Sequence, residues 1–420
     1  MNWNQLFAKR TEHMKRTAVR ELLKVTARPE IISFAGGLPA AELFPVERVR
    51  QAAESVFKSV GPASLQYGET EGLADLRAWV VEEFTRQSPA RGNGSGLRIG
   101  PENVLITSGA QQALDLIGRI LLEEGDGVVV ENPTYLALLS AWRPHGVEFL
   151  PVASDERGMR TEELHWLQKR PKLIYLTPNF QNPQGTTLTL DRRKELLQFA
   201  AKAGAGIVED NPYGDLRYSG ESLPPVLTLE PNGPRAVIYI GSFSKVLMPG
   251  LRVGWVIAAA EVIEKLVQAK QAADLHTNSL GQHIVLELLR QGFLNEFLPV
   301  LKEAYGQRRD AMLEAMERFF PESVSWTRPE GGMFLMARAK SLDTTALLAR
   351  ALEQRVAYVP GEEFHLGGQG RDTMRLNFSN AQPAKIEEGM RQLGALLRAE
   401  MSSREDSSWK SAEFPANCRG

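Results

Sequence analysis

The chain is predicted to adopt an α/β fold, with a large, mostly parallel sheet between helices and a second, smaller α+β unit. Short apolar runs alternate with amphipathic stretches, and these runs are apolar at nearly every position rather than at every second one. Strands with this pattern are typically buried on both faces, as in a parallel sheet. The chain has 420 residues, which is long enough for a large unit and a satellite.

The predicted strands of the large sheet are rich in valine, isoleucine and aromatic residues. They are NVLIT (103–107), GVVVE (127–131), KLIYLT (172–177), AGIVED (205–210), AVIYIG (236–241) and VGWVIAA (253–259). Between them, residues 110–125 place apolar side chains on one stripe, as a helix does. Residues 191–204 predict another helix, with Asp191 as its N-cap and Gly204 as its stop. The alternation of strand and helix favours an α/β fold.

The pattern changes from about residue 295 onward. Two long helical stretches, 299–318 and 384–400, flank shorter strand candidates at 331–338 and 372–379. This arrangement predicts the smaller α+β unit. Residues 402–420 are polar and irregular, which predicts a disordered tail.

Composition excludes several classes of function. The net charge is −2, so no overall attraction to nucleic acid or to anionic membranes is expected. The single cysteine allows no disulfide within the chain, and the six histidines show no metal-ligand spacing, so no metal site is expected. No run approaches the length of a membrane-spanning helix. These observations predict a cytoplasmic protein without a nucleic-acid or membrane partner.

Side chains that follow the predicted strands are candidates for function, because ligands bind beyond the carboxyl ends of strands in α/β sheets. After residues 103–107, Ser108 and Gly109 form a turn that opens into a helix at Ala110 and Gln111. Free backbone N–H groups and the positive end of the helix dipole make such a start an anion site. Taken alone, the motif is more often a plain strand-to-helix turn.

Three further strands are also followed by polar groups. The amide-rich turn PNFQNPQG follows one strand, another ends in Asp210 with Tyr213 three residues later, and a third is followed by Lys245 and Arg252. A carboxylate at the end of a buried strand requires a cationic partner, and a lysine in an apolar pocket has a lowered pKa. Its neutral amine can form a Schiff base. Each group alone also fits a structural role: a turn, an ion pair or a surface loop.

Together, these groups match the requirements of pyridoxal 5'-phosphate (PLP). The phosphate needs N–H groups, an arginine and hydroxyls such as those of Ser242 and Ser244. The aldehyde needs a lysine, the pyridine nitrogen a carboxylate, and the ring oxygen donors such as asparagine and tyrosine. The strand ends therefore predict a site for this cofactor.

Motifs in a fixed order extend this interpretation over most of the chain. They are SFAGGLPAAELFP, LQYGETEGLADLR, TSGAQQALDL, ENPTY, PNFQNPQG, VEDNPYGDLRY, GSFSKVLMPGLRVGW and MRLNFS. With these motifs the chain resembles the fold type I PLP-dependent aminotransferases, in the group that contains 2-aminoadipate and kynurenine aminotransferases. The resemblance implies a seven-stranded, mostly parallel sheet in the large unit. It also implies an N-terminal segment that contributes to the small unit and to a substrate lid (1–45), a large PLP-binding unit (46–295), a small C-terminal unit (296–401) and the tail (402–420).

The resemblance also implies roles for individual residues. Lys245 should carry the cofactor as an internal aldimine, and Asp210 should pair with the pyridine nitrogen. Asn182 and Tyr213 should hydrogen-bond the ring oxygen, and Tyr135 should stack on the ring. The expected catalytic residues are Lys245, Asp210 and Tyr213. The residues expected around the phosphate are Ser108, Gly109, Ala110, Gln111, Ser242, Ser244, Arg252 and Tyr67.

Substrate-binding residues follow from the same resemblance: Arg375, Asn182, Gly36, Gly37, Arg20 and Tyr67. Arg375 should bind the substrate α-carboxylate with two parallel hydrogen bonds. Arg20 either pairs with a distal carboxylate of glutamate or 2-aminoadipate or lies on a solvated helix face. Tyr67 should reach the phosphate of the neighbouring subunit, in a homodimer whose active sites lie at the subunit interface.

The expected activity is a ping-pong transamination between an L-amino acid and a 2-oxo acid. Glutamate and 2-oxoglutarate should form one pair, and the other amino acid should be acidic, such as 2-aminoadipate, or aromatic or branched. Another PLP enzyme of this fold, a carbon–sulfur lyase or a decarboxylase, is an alternative because it would share the cofactor residues. A transcription regulator of this fold is disfavoured, because the motif SFAGGLP begins at residue 33 and leaves no room for a preceding DNA-binding domain.

Overall fold

The computed structural model describes residues 1–14, 22, 28, 30–87, 98–230 and 233–412. The strands are β1 (Ile32–Ser33), β2 (Val104–Thr107), β3 (Gly127–Asn132), β4 (Glu148–Asp155), β5 (Gly158–Met159), β6 (Leu173–Leu176), β7 (Gly206–Asp210), β8 (Val237–Ser242), β9 (Gly254–Ile257), β10 (Val324–Trp326), β11 (Phe334–Ala339), β12 (Val356–Ala357), β13 (Val359–Pro360) and β14 (Thr373–Asn377). The α-helices are α1 (Val46–Ser59), α2 (Ala74–Gln87), α3 (Ala110–Leu121), α4 (Leu136–Trp142), α5 (Leu190–Ala203), α6 (Ala260–Ala273), α7 (Ser279–Arg290), α8 (Phe293–Phe319), α9 (Thr344–Glu353) and α10 (Pro383–Ala412).

The larger sheet has eight strands in the order β2-β9-β8-β7-β6-β3-β4-β5. Neighbours from β4 through β3, β6 and β7 to β8 are parallel, whereas β9 runs antiparallel between β8 and β2. The eighth strand, β5, is a two-residue hairpin partner of β4. The predicted mostly parallel sheet is therefore confirmed.

The continuous apolar runs form strands that are buried on both faces. In β6, Leu173 and Tyr175 belong to the apolar cluster on one side of the sheet, and Ile174 and Leu176 belong to the cluster on the other side. Successive side chains of a strand point to opposite faces, so every position of such a strand must be apolar.

The strand β4 was missed by the sequence patterns. Its sequence, EFLPVASD, contains Pro151, and most of its residues are partly exposed. Pro151 pairs with Val130 of β3 in a parallel ladder, and β4 lies at the edge of the sheet except where the short β5 covers it. Proline is tolerated near a sheet edge because its missing N–H is needed least there.

Two predicted element boundaries need correction. Thr189, rather than Asp191, is the N-cap of α5, because the first helical turn already closes with a hydrogen bond from the N–H of Arg193 to the carbonyl of Thr189 at 3.0 Å. The last helix continues to Ala412, where a disordered tail was predicted from residue 402. Residues 402–412 contain no glycine or proline that would end a helix.

The smaller sheet has four antiparallel strands in the order β10-β11-β14-β13. Met312 of α8, Leu335 of β11 and Met390 of α10 belong to one buried cluster, which also contains Phe34. The N-terminal segment joins this unit, because β1 pairs in parallel with β12. The predicted smaller α+β architecture is confirmed, and the boundaries at 45, 295 and 401 stay a prediction.

Within the residues described, no helix is both long enough and apolar enough to cross a membrane.

Candidate active site

A cleft at the carboxyl edge of the large sheet gathers most of the side chains that the sequence singled out. Strands β2, β3, β6, β7 and β8 all end at this edge, since they run in the same direction. The predicted residues that line the cleft are Ala110, Gln111, Tyr135, Asn182, Asp210, Tyr213, Ser242, Ser244, Lys245 and Arg252.

Lys245 lies in the turn after β8, and its Nζ donates a hydrogen bond to the carbonyl of Gly37 at 2.9 Å. Burial, together with the positive charges of Arg375 and Arg252, lowers the pKa of this amine to about 8. The usual pKa of a lysine is about 10.4, so a much larger fraction of Lys245 is neutral at neutral pH. The neutral amine is the form that acts as a nucleophile or a base.

Asp210 is the last residue of β7 and is buried. Its Oδ2 accepts a hydrogen bond from the hydroxyl of Tyr175 at 2.8 Å. Its Oδ1 is also buried and has no hydrogen-bond partner among the residues described. Burial raises the pKa of this carboxyl to about 6, and the Tyr175 hydrogen bond opposes that rise. The free oxygen therefore suits a ligand that brings an N–H donor, above all a cationic one.

Ser108 and Gly109 connect β2 to the N-terminus of α3 in the turn predicted to bind an anion. Gly109 has φ +80° and is the N-cap of α3. A Cβ added at Gly109 would lie 2.7 Å from Nη2 of Arg252, so only glycine fits there. Arg252 donates from Nη2 to the carbonyl of Ser108 at 2.8 Å. The N–H groups of Ser108 and Gly109 donate to Gln112 and Thr107, so the N–H groups that can bind an anion are those at the start of α3, at Ala110 and Gln111, beside Arg252.

Arg375 is buried on β14 in the smaller sheet and reaches across to the loop after β6. Its Nη1 donates to Oδ1 of Asn182 at 2.9 Å, and its Nη2 donates to the carbonyl of Ala35 at 2.6 Å. The guanidinium carbon lies 4.4 Å from the ring centroid of Phe334 and 4.9 Å from that of Phe364. Nε is buried without a partner in the described part of the chain. Burial lowers the pKa of Arg375 to about 10, so it remains charged at neutral pH.

Two tyrosines complete the walls of the cleft. The hydroxyl of Tyr213 lies 3.5 Å from Nδ2 of Asn182. Burial raises the pKa of Tyr213 well above its usual range and raises that of Tyr135 to about 12. Both hydroxyls therefore stay protonated and can donate hydrogen bonds to a ligand.

The remaining predicted residues are not among those that line the cleft. Gly36 and Gly37 belong to the segment that contacts Lys245. Tyr67 is 77% exposed, and its ring meets His276 edge-on with centroids 5.7 Å apart, so it does not line this cleft. Arg20 lies outside the described residues.

Several site residues were not predicted. Thr177, Pro212 and Pro249 also line the cleft. Tyr175 lies within an apolar run and was interpreted as core, although a tyrosine hydroxyl in a buried strand requires a partner and could have pointed to Asp210. The phenylalanines beside Arg375 could not be predicted as site residues from the sequence, because a buried phenylalanine usually belongs to the hydrophobic core.

The loop after β6 is held by a buried guanidinium on α5. Arg193 is fully buried and donates to the carbonyls of Leu188 at 2.9 Å, Pro224 at 2.8 Å and Pro178 at 3.0 Å. It also donates to Oδ1 of Asn179 at 2.7 Å. A loop fixed in this way keeps the amide of its Asn182 in place.

With this geometry in place, the comparisons with known proteins define the class. Residues 29–393 match the family profile described as aminotransferase class I and II. The chain belongs to this family, and it is a PLP-dependent aminotransferase.

Individual relatives match along nearly the whole chain. An aromatic-amino-acid aminotransferase of Thermococcus litoralis is 42% identical, over 96% of this chain and 96% of its own. A 2-aminoadipate transaminase of Thermus thermophilus is 44% identical, over 95% of this chain and 98% of its own. The crystal structure of α-aminoadipate aminotransferase from Thermus thermophilus, in complex with N-(5'-phosphopyridoxyl)-L-leucine, superimposes with a TM-score of 0.86 at 42% identity, covering 96% of this chain and all of that one.

The residues of the cleft fit PLP on independent structural grounds. Among the described residues the buried Oδ1 of Asp210 has no hydrogen-bond partner, as expected for an oxygen that receives a pyridine N–H. The turn at Gly109 leaves room for an anion where a side chain would clash with Arg252. Lys245 supplies an amine whose pKa is lowered to about 8.

Proposed function

We propose that this enzyme transaminates a broad set of L-amino acids, with glutamate and 2-oxoglutarate as one pair. The other amino acid is acidic, such as 2-aminoadipate, or aromatic or branched. The observation that carries this proposal is that Lys245 and Asp210 line one cleft, whose Asn182 accepts a hydrogen bond from Arg375. Amino-acid transamination requires these three groups: an amine that is neutral near neutral pH, a carboxylate with an oxygen available for a ligand, and a charged guanidinium.

When bound, PLP supplies an aldehyde and a ring that withdraws electrons from the substrate α-carbon. Lys245 would hold the cofactor, and Asp210 would hold its pyridine nitrogen through Oδ1. Asn182 and Tyr213 would donate to the ring oxygen, and Tyr135 would pack on the ring face. The residues that would hold the phosphate are Ala110, Gln111, Ser242, Ser244 and Arg252, whereas Ser108 and Gly109 would shape the turn, because their own N–H groups already donate within the protein.

The remaining chemistry belongs to side chains of this protein. The neutral amine of Lys245 would take the proton from the substrate α-carbon as a base, and the resulting ammonium would return it, as an acid, to the carbon on the other side of the substrate nitrogen. The lowered pKa suits both roles, because it lies near the working pH. Arg375 holds the substrate carboxylate, and its neighbours Asn182 and Ala35 fix the direction in which the guanidinium points.

The breadth of substrates is supported by the relatives. Enzymes about equally similar to this chain are named for aromatic amino acids and for 2-aminoadipate, and one was crystallised with a pyridoxyl derivative of leucine. Arg375 contacts only the carboxylate shared by these amino acids, so it imposes no choice among their side chains.

A homodimer is part of the proposal. Leu65, Tyr67 and Leu275 are large and 68%, 77% and 45% exposed. Tyr67 would cross to the phosphate of the partner's site, as the resemblance implies. Light scattering that gives the mass of one 46.6 kDa chain at micromolar concentration would count against this assembly.

The test of substrate class is direct. The PLP-loaded protein is mixed with a panel of amino acids, and the change in the visible absorbance of the cofactor is followed by stopped flow. Glutamate together with acidic, aromatic or branched amino acids should react fastest, and each should yield its 2-oxo acid. Release of pyruvate with ammonia, or of CO₂, would instead identify a lyase or a decarboxylase.

Replacing Tyr175 by phenylalanine should move the pH dependence of PLP association. The Tyr175 hydroxyl opposes the rise in the pKa of Asp210, so its removal raises that pKa further above about 6. The charged carboxylate is present above its pKa and is lost as the pH falls through it. The pH at which the PLP association constant begins to fall on acidification should therefore be higher in the variant. The control Tyr358→Phe loses a buried hydrogen bond to the carbonyl of Thr344 and should not change the pH at which the association constant falls.

A further inference from the structure

An ion pair between a buried lysine and a partly exposed aspartate is hydrogen-bonded to the turn that carries Ser108 and Gly109. Lys270, on α6, is fully buried, and its Nζ donates to the two carboxylate oxygens of Asp274 at 2.7 and 2.9 Å. A further hydrogen bond runs from Nζ to Oε1 of Gln112 at 2.8 Å. An ammonium has three N–H donors, so all of them are used within the protein. Lys270 therefore has no free donor for a substrate.

The ion pair is connected to the backbone of the turn. Oε1 of Gln112, which accepts from Lys270, also accepts from the N–H of Ser108 at 2.8 Å. The hydroxyl of Ser108 donates to Oδ2 of Asp274 at 3.2 Å, and Nε2 of Gln112 donates to the same oxygen at 2.6 Å. From the other side, Arg252 donates to the carbonyl of Ser108. Ser108 is thus held between the arginine of the cleft and the ion pair behind it.

Charge gives the pair a second effect. The carboxylate of Asp274 accepts a hydrogen bond from the hydroxyl of Ser108. Ser108 belongs to the turn where a doubly negative phosphate would lie. Without its lysine partner, the Asp274 carboxylate would repel that phosphate, and solvent around its exposed side would screen only part of the repulsion. Lysine is almost never fully buried without a partner, and here its positive charge is paired with the negative charge of Asp274. Together the two side chains carry no net charge.

We infer that Lys270, together with Asp274 and Gln112, is a positioning residue for the cofactor phosphate. Lys270 orients Gln112, Gln112 fixes the N–H of Ser108, and the ammonium cancels the charge of Asp274 beside the turn. This inference rests on the proposed function, in which the Ser108–Gly109 turn shapes the site that holds the phosphate.

The test compares two ligands that differ only in the phosphate. The affinity of the cofactor-free protein is measured for PLP and for pyridoxal, which retains the aldehyde and ring. Lys270→Met should weaken PLP binding by roughly ten- to hundred-fold, the range seen when supporting partners of a bound group are removed. Pyridoxal affinity should change less than about three-fold, because its contacts lie away from the turn.

Additional variants separate positioning from general damage. Lys270→Met combined with Asp274→Asn should bind PLP more tightly than Lys270→Met alone, because the stranded carboxylate is gone. Gln112→Met, at a partly exposed position, should show the same selective loss of PLP affinity even if Lys270→Met does not fold. Lys265→Met, on an exposed face of α6, is the matched control and should bind both ligands as the unmodified protein does.

Equal loss of PLP and pyridoxal affinity, or no gain from the added Asp274→Asn, would overturn the inference. If the unmodified protein binds PLP tightly and Gln112→Met binds it equally well, the positioning role fails while the proposed function stands. If the unmodified protein does not bind PLP, the proposed function itself fails.

Discussion

Replacing Lys245 by alanine is expected to abolish transamination, with a loss of at least about 10⁴-fold in kcat. The substitution removes both the attachment point for the cofactor and the base that moves the substrate proton. No other described cleft-lining residue is a lysine: the others have amide, hydroxyl or phenol side chains or are prolines, an alanine, an aspartate and an arginine. The measurement is the rate of 2-oxo acid formation, together with the visible absorbance band of the PLP-loaded protein.

The matched control for this variant is Lys265→Ala, on the exposed face of α6. It should keep both the rate and the absorbance band. A Lys245→Ala protein that retained turnover and the band would refute the assignment of Lys245, whatever its effect on stability.

Replacing Arg375 by methionine is expected to lower kcat/KM by about 10²- to 10³-fold, the effect of removing one member of a buried, hydrogen-bonded charge pair. The variant loses the fork that receives the carboxylate and leaves Oδ1 of Asn182 and the carbonyl of Ala35 without their donor. Arg375→Lys should recover only part of the loss, because an ammonium cannot form two parallel hydrogen bonds in one plane.

A substrate that lacks the carboxylate isolates this effect. Slow reaction with a simple primary amine should be nearly unchanged by Arg375→Met, whereas reaction with amino acids should fall. Arg338→Met, at an exposed arginine that pairs with Asp372 on the same sheet, should change neither. An equal fall for amines and amino acids would mean that Arg375 supports the fold rather than the substrate.

The parts of the site that lie next to strand ends could be predicted from the sequence. Asp210 and Lys245 follow buried apolar runs, and parallel strands bring their carboxyl ends to one edge of the sheet. Arg375 was assigned only through resemblance, because its partners Asn182 and Ala35 lie 193 and 340 positions away in the chain. No local pattern reports a contact over that separation.

The partners of buried polar side chains could not be predicted from the sequence. Lys270 occurs in an ordinary amphipathic helix, and its burial depends on Gln112, which lies 158 positions earlier. Tyr175 resembles any aromatic core residue until Asp210 is seen beside it. The edge strand β4 was missed because its half-exposed sequence has no clear period.

Oδ1 of Asp210 and Nε of Arg375, which have no hydrogen-bond partner in the part of the chain that the structure describes, have a consequence for the stability of the cofactor-free polypeptide. A buried polar atom without a partner costs about 1–3 kcal/mol, and both atoms carry this cost until ligands arrive. A cofactor that binds only the folded chain raises the free energy of unfolding in proportion to the logarithm of its concentration. Newly made chains without PLP thus stand closer to unfolding and to proteolysis. We therefore expect the supply of cofactor to affect how long each polypeptide survives, as well as how fast it works.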